Sequence, residues 1–161
     1  MCWRKRGVKG SEHEGELRAA PTVLAALPLR GKVVTADALY CERAFCEQIL
    51  AAGGDYLVIV KGNRERLYAD IKLLFTQPPP GEVFAEAQQR DRHGDRWEER
   101  RLWASTGLCD YLDYWPKVGQ VCKVERVFVR KGKQTREVRY AITSLGQDVG
   151  PAQLLRHIRG H

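Results

Sequence analysis

The chain has no apolar run approaching the roughly 18 residues that a membrane span requires. Its opening, MCWRKRGVKGSEHE, also lacks the apolar stretch of a signal peptide. These two absences point to a cytoplasmic protein with no membrane partner. Cysteine is sparse: Cys2, Cys41, Cys46, Cys109 and Cys122 are odd in number, scattered, and form no CxxC pair. That pattern supplies no disulfide framework, and His93 with Cys109 offers no zinc-ligand spacing, so the thiols read as reduced packing residues. No internal repeat is present. Disorder is excluded by composition, since 43% of the 161 residues are apolar and 29% charged. A chain of about 150 residues buries roughly two thirds of its unfolded surface, so one domain with a real core is expected.

Negative charge is the other scarcity. Lysine and arginine number 27 against 20 acids, a formal charge of +7. Between Lys117 and Arg139 the imbalance is sharper, with eight bases (Lys117, Lys123, Arg126, Arg130, Lys131, Lys133, Arg136, Arg139) against Glu125 and Glu137. Such an excess concentrates polyanions and suits phosphate contacts with nucleic acid; it equally suits a solvated basic hairpin.

Periodicity organises what remains. Residues 1–15 have none and read as a loose tail. ELRAAPTVLAALPL suggests a short helix with Leu24 and Leu27 inward. Val33 to Ala36 then reads as a buried strand, closed by Asp37. From Glu42, the apolar positions Phe45, Cys46, Ile49 and Leu50 recur at helical spacing and Gly53-Gly54 ends the helix. Tyr56 to Val60 is a β-branched run typical of a strand covered on both faces, followed by the turn Lys61-Gly62-Asn63. A second helix fits Arg64 to Phe75 and stops at Pro78-Pro79-Pro80. Strand, helix, strand, helix argues for a parallel α/β sheet, whose sites form at the carboxyl ends of its strands. Beyond the prolines the period becomes two: EVFAEAQ alternates Val83, Ala85 and Ala87, WEERRLW interleaves Trp97 and Trp103 with charge, and two strands flank a Gly132 turn. Residues 81–145 therefore read as an antiparallel β region. A last helix opens near Pro151 and carries Leu154, Leu155 and Ile158. Its lack of a closing cap leads us to expect a longer protein.

Four segments in order, GKVVTADALYCERAFCEQILAAGGDYLVIVKGN, DRHGDRWEERRLW, the hairpin ending RYAITSL, and LLRHIRGH, resemble the DDE-type transposases of bacterial insertion sequences, in the IS-four-like group. The resemblance runs from about Glu16 to the C-terminus. It implies an α/β fold, a partial RNase H-like core in residues 16–161 with 81–145 as a β-rich insertion. It also implies DNA cleavage and strand transfer assisted by two Mg²⁺ ions, with insertion-sequence ends as the DNA partner and a possible homo-oligomer. Asp37 matches the second acid of the family's triad, a catalytic residue and metal ligand; its residue type and place also suit an N-cap. The first acid, in a DGK-like motif, has no counterpart in residues 1–15, and the terminal RxHWxIEN motif breaks off at Arg159-Gly160-His161, before its Glu. Glu12, Glu14 and Glu16 have no strand to position them. One acid of three implies a chain truncated at both ends and inactive alone.

Other positions transfer as DNA contacts. Lys61 and Asn63 match a KxN turn, which is also an ordinary strand-ending turn. His93, Arg96 and Arg100 fall on an HGRxExR-like stretch that Asp95 interrupts, and Arg100 could instead pair with Glu98 or Glu99. Lys123, Arg126, Arg130, Lys131 and Lys133 supply the basic hairpin, while Arg159 and His161 open the last motif. Trp97, Trp103 and Trp115 read as core or sheet-face aromatics. Two non-catalytic alternatives remain: a DNA-binding or oligomer-forming fragment that modulates a full-length transposase, and a remnant whose sheet exposes an unpaired edge.

Overall fold

A computed structural model describes residues 2–3 and 21–158. Among these, seven strands form one sheet: β1 (Cys2–Trp3), β2 (Val33–Ala36), β3 (Asp55–Val60), β4 (Ala85–His93), β5 (Arg96–Ser105), β6 (Gln120–Arg130) and β7 (Lys133–Thr143). Their order across the sheet is β1-β2-β3-β7-β6-β5-β4. The first three are parallel and the remainder form an antiparallel meander.

The alternation of strand and helix read from the sequence is present. α1 (Arg43–Ala51) buries Phe45, Cys46 and Ile49, and α2 (Glu65–Thr76) buries Leu67, Ile71 and Leu74. Both lie over one face of the sheet with Leu24 from a helical turn at residues 21–25. α3 (Pro151–Ile158) covers the other face, setting Leu154, Leu155 and Ile158 against Leu57, Ile59, Leu102 and Ala141. β3 is buried on both sides, with Tyr56, Val58 and Val60 in one core cluster and Leu57 and Ile59 in the other. Each such side chain contributes about 1.5–3 kcal/mol. A charged residue at Val58 would break both the strand and the layer above it.

Three expectations need revision. Residues 1–15 do not read wholly as tail, because Cys2 pairs with Thr35 and Trp3 with Ala36 along β2. The outer edge of β2 is therefore covered there; Met1 and residues 4–20 lie outside the described residues, as do 159–161. Val83 belongs to no strand and is 85% exposed, so the period-two pattern begins only at Ala85. Finally, residues 106–119, read as part of a β region, are not a strand but a packed turn that sends Leu112 and Trp115 into the core.

The meander is continuous with the α/β sheet, because β7 hydrogen-bonds β3 from Leu57↔Thr143 to Val60↔Tyr140. Close packing at that seam explains Gly119: a Cβ there would stand 2.8 Å from the Ser144 carbonyl. Gln120 Nε2 reaches the carbonyls of Gly146 at 2.6 Å and Val149 at 3.1 Å, which fixes the loop delivering α3.

One consequence of this register positions the candidate site. β3 ends at Val60, opposite Tyr140, yet β7 begins at Lys133. At about 3.3 Å per residue the hairpins overhang the tip of β3 by roughly 23 Å. They overhang at the carboxyl ends of β2 and β3, where Asp37 and Lys61 stand.

Candidate functional site

Asp37 follows β2 directly, with backbone φ −69° and ψ 166°, and opens a 3-10 turn at Ala38–Tyr40. Its Oδ1 accepts the Ala38 N–H at 2.6 Å and lies 3.7 Å from Lys61 Nζ. Asp37 thus caps this 3-10 turn and not α1, whose own N-cap is Glu42; its side chain keeps 36% of its exposure and faces a cation at the tip of the next strand. A second 3-10 turn, Gly62–Arg64, carries Asn63. Asn63 Nδ2 donates to the Ala38 carbonyl at 3.1 Å. Arg64 donates from Nε to the Cys41 carbonyl at 2.6 Å and from a terminal nitrogen to Glu42 Oε1 at 3.1 Å. The turn after β3 is therefore stitched to the turn after β2 on either side of Tyr40. Asp37, Lys61 and Asn63 are brought together, and Asn63 is engaged with backbone. Arg64 was not singled out from the sequence; its place one residue past the KxN turn was the available signal. Beyond this turn a cleft of about 450 Å³ opens along Asn63, Arg64, Arg66 and Tyr114, with the Arg66 guanidinium 4.4 Å from the Tyr114 ring centre.

The donor set here does not fit a pair of Mg²⁺ ions. Such ions require several hard oxygens in fixed geometry. Among the described residues no group of three or more His, Cys, Asp or Glu side chains could hold a metal. Asp37 shares its Oδ1 between an amide and an ammonium group.

Cys41, Cys46 and Cys122 are buried. Burial pushes Cys41 and Cys122 up to about 12 and Cys46 higher still. Protonated and enclosed, they act as small apolar side chains.

The basic segment is less uniformly positive in three dimensions than along the chain, because neighbouring strands bring acids to it. Arg126 Nε is 2.6 Å from Glu98 Oε1, which also receives Arg100 at 2.7 Å. Arg126 and Arg139 both approach Glu137, at 3.8 and 3.6 Å, and Arg136 pairs with Glu125 at 2.7 Å. Burial raises the Glu98 carboxyl, but the Arg126 bond and the charges of Arg100 and Arg126 outweigh it and hold Glu98 below its ordinary value. The Arg136 bond does the same for Glu125. Lys123 points to the opposite face, 5.0 Å from the centre of the Trp103 ring, with Arg101 beside it at 5.2 Å. Trp97 is half-buried on the same strand, and Trp115 is core.

Strand alternation sorts the other sequence-predicted residues. His93, Arg96, Arg100, Arg126, Arg130 and Lys133 share the face that carries Leu102 and Val124, the face packed by α3 nearer the core. Lys131 sits in the β6–β7 turn with φ 50°, beside Gly132 at φ 75°. Arg159 and His161 lie outside the described residues.

Residues 7–111 match the family model described as "Transposase DDE domain". The chain belongs to that family. An "Uncharacterized protein in dhlA 3'region" of Xanthobacter autotrophicus is 38% identical over 136 residues, covering 80% of this chain and 44% of the relative. The "H repeat-associated putative transposase YhhI" of Escherichia coli (strain K12) is 30% identical over 166 residues, 96% of this chain and 42% of its own length. "Putative transposase YncI" of Escherichia coli O157:H7 is 27% identical with 96% and 41% covered. This DDE chain thus spans less than half the length of these curated relatives, and its function is transposase-related. A sugar N-methyltransferase, KedS8, covers 83% of the chain at 10% identity with a TM-score of 0.33, too slight a likeness to argue from. No helix among the described residues of the DDE chain is long and apolar enough to cross a membrane.

Proposed function

We propose that this chain engages DNA for a DDE transposase, with the overhanging ribbon of β4–β7 gripping the duplex and Asp37 held at the strand tip as the acid the family's chemistry would use. In the whole enzyme that chemistry is Mg²⁺-dependent cleavage and strand transfer at insertion-sequence ends. One carboxylate paired with Lys61 does not make a two-ion centre, so no catalytic step is assigned to these residues. DNA engagement is the part of the reaction the described residues are equipped for, and work on chromosomal DNA places the protein in the cytoplasm.

The observation that carries this reading is the shared direction of the two features. The exposed bases Arg130, Lys131 and Lys133 and the Asp37–Lys61 pair stand at the same end of one sheet. A duplex lying on the ribbon therefore lies at the end of the sheet that bears Asp37. The described residues therefore favour a DNA-binding role over an assigned catalytic one.

Binding to duplex DNA measured between 50 and 300 mM salt tests the proposal. Contact with phosphates releases counterions, so log K should fall linearly with log salt. A salt-independent or undetectable affinity would overturn it.

A further inference from the structure

We propose that two copies of this chain associate through β4, whose outer edge pairs antiparallel with the same edge of the second copy about an axis at Gln89; this is independent of the DNA-engaging role. β4 is the last strand of the sheet, and among the described residues it is laddered with β5 alone. In an antiparallel ladder every second residue turns its N–H and C=O away from the partner strand. Pairing runs unbroken from Ala85↔Ala104 to His93↔Arg96, so those outward groups form one regular row along a nine-residue strand. Edges are ordinarily blunted by a proline, a bulge or brevity, and β4 has none of the three.

Which residues face outward follows from the turn. Gly94, at φ 61°, and Asp95 make a two-residue loop, so the flanking His93 and Arg96 exchange backbone bonds with each other. Alternation then directs the backbone groups of Glu86, Gln88, Arg90 and Arg92 to the free edge, and all four residues are exposed. With the axis at Gln89, Glu86 lies opposite Arg92 of the second copy and Gln88 opposite Arg90, each pair occurring twice by symmetry. Outward groups meet outward groups, in about eight backbone hydrogen bonds.

The charges select this register. Arg90 is held by Glu99 at 3.2 Å and Glu86 by Arg101, whereas among the described residues no ion pair involves Arg92. Pairing about Gln89 supplies Arg92 with a carboxylate and sets no like charges opposite one another. Moving the axis to Arg90 would set that arginine against itself, which destabilises a sheet. An axis at Gln88 would carry Arg92 past the end of the strand, opposite Phe84, and an axis between residues would set outward groups against inward ones. The strand is thus its own complement in one register. A single strand edge is smaller than the standard interface of about 1,600 Å², so the association is reversible, with a micromolar Kd.

Sedimentation velocity of the full chain without DNA, from about 1 to 300 μM, tests the interface. The wild type should pass from monomer to dimer over that range. Glu86→Arg and Arg92→Glu each set like charges at both symmetric positions and should weaken association by about tenfold or more. An equimolar mixture of the two variants restores both opposite-charge pairs and should dimerise as the wild type does. Because Glu86→Arg also gives up Arg101 and could unfold, Gln89→Cys supplies a separate readout. Its thiols meet on the axis, so air oxidation should give a disulfide-linked dimer, and Asp95→Cys, in the turn outside the ladder, should not. A wild type that stays monomeric, or a dimer that persists in Arg92→Glu, overturns the interface. A mixture of folded variants that fails to associate, or equal cross-linking at both cysteine positions, overturns the register. Neither result touches the DNA-engaging role, which stands or falls on its own salt titration.

Discussion

Glu98 on β5 reaches diagonally to Arg126 on β6, where Nε and Oε1 are 2.6 Å apart. The pair holds the ribbon together beyond the apolar core, which ends near Leu102 and Val124. From there outward, cross-strand ion pairs replace hydrophobic contacts as the cohesive force.

That substitution predicts an acid-sensitive ribbon. Glu98 and Glu125 both titrate below the ordinary carboxylate value of 4.5 in the folded chain. A depressed folded pKa contributes stability that is complete above the unfolded value and is lost as pH falls through the folded one. Unfolding midpoints should therefore be level near neutrality and decline below about pH 4.5. Glu98→Gln should cost about 1 kcal/mol at pH 7 and flatten that decline. Parallel stability curves for wild type and variant between pH 7 and 3 would refute the assignment.

The stitch between the strand-tip turns predicts local loosening around Asp37. Asn63→Ala and Arg64→Met should each cost about 1 kcal/mol, less together than their sum, because both restrain residues 38–42. Amide hydrogen exchange provides the readout: Tyr40 and Cys41 should lose protection while Val58 and Ile59 in β3 keep theirs. Unchanged protection at Tyr40 would show that the turn holds without these bonds.

A third prediction concerns backbone strain. Lys131 adopts φ 50° in a two-residue turn with Gly132, a conformation that favours Asn or Gly over a long side chain. Lys131→Asn should stabilise the protein by about 0.5–1 kcal/mol, a rise of about 2 °C in Tm. A lower Tm would mean that the lysine makes a compensating contact.

Local signals recovered the elements well, because each carries its cause in neighbouring residues. The β-branched run of β3, the helical spacing of Phe45, Cys46 and Ile49, and the prolines after α2 all report burial or breakage within a few positions. The strand-tip cluster was partly legible for the same reason: Asp37, Lys61 and Asn63 each end a strand in a parallel unit, and such ends converge. Arg64 escaped because its partners, Cys41 and Glu42, lie more than 20 residues away. The basic segment misled in one respect, since charge counted along β6 and β7 omits the acids that β5 sets against it.

By itself, then, the sequence determined the strand and helix order, the two-sided burial of β3, the placing of one acid at a strand end, and membership of the DDE transposase family. Only the tertiary structure decided that β7 joins β3, that the ribbon overhangs the end bearing Asp37, and which bases are neutralised and which stay exposed. Register and cross-strand pairing are set by contacts between residues far apart in the chain, and charges on different strands meet only once those contacts are made.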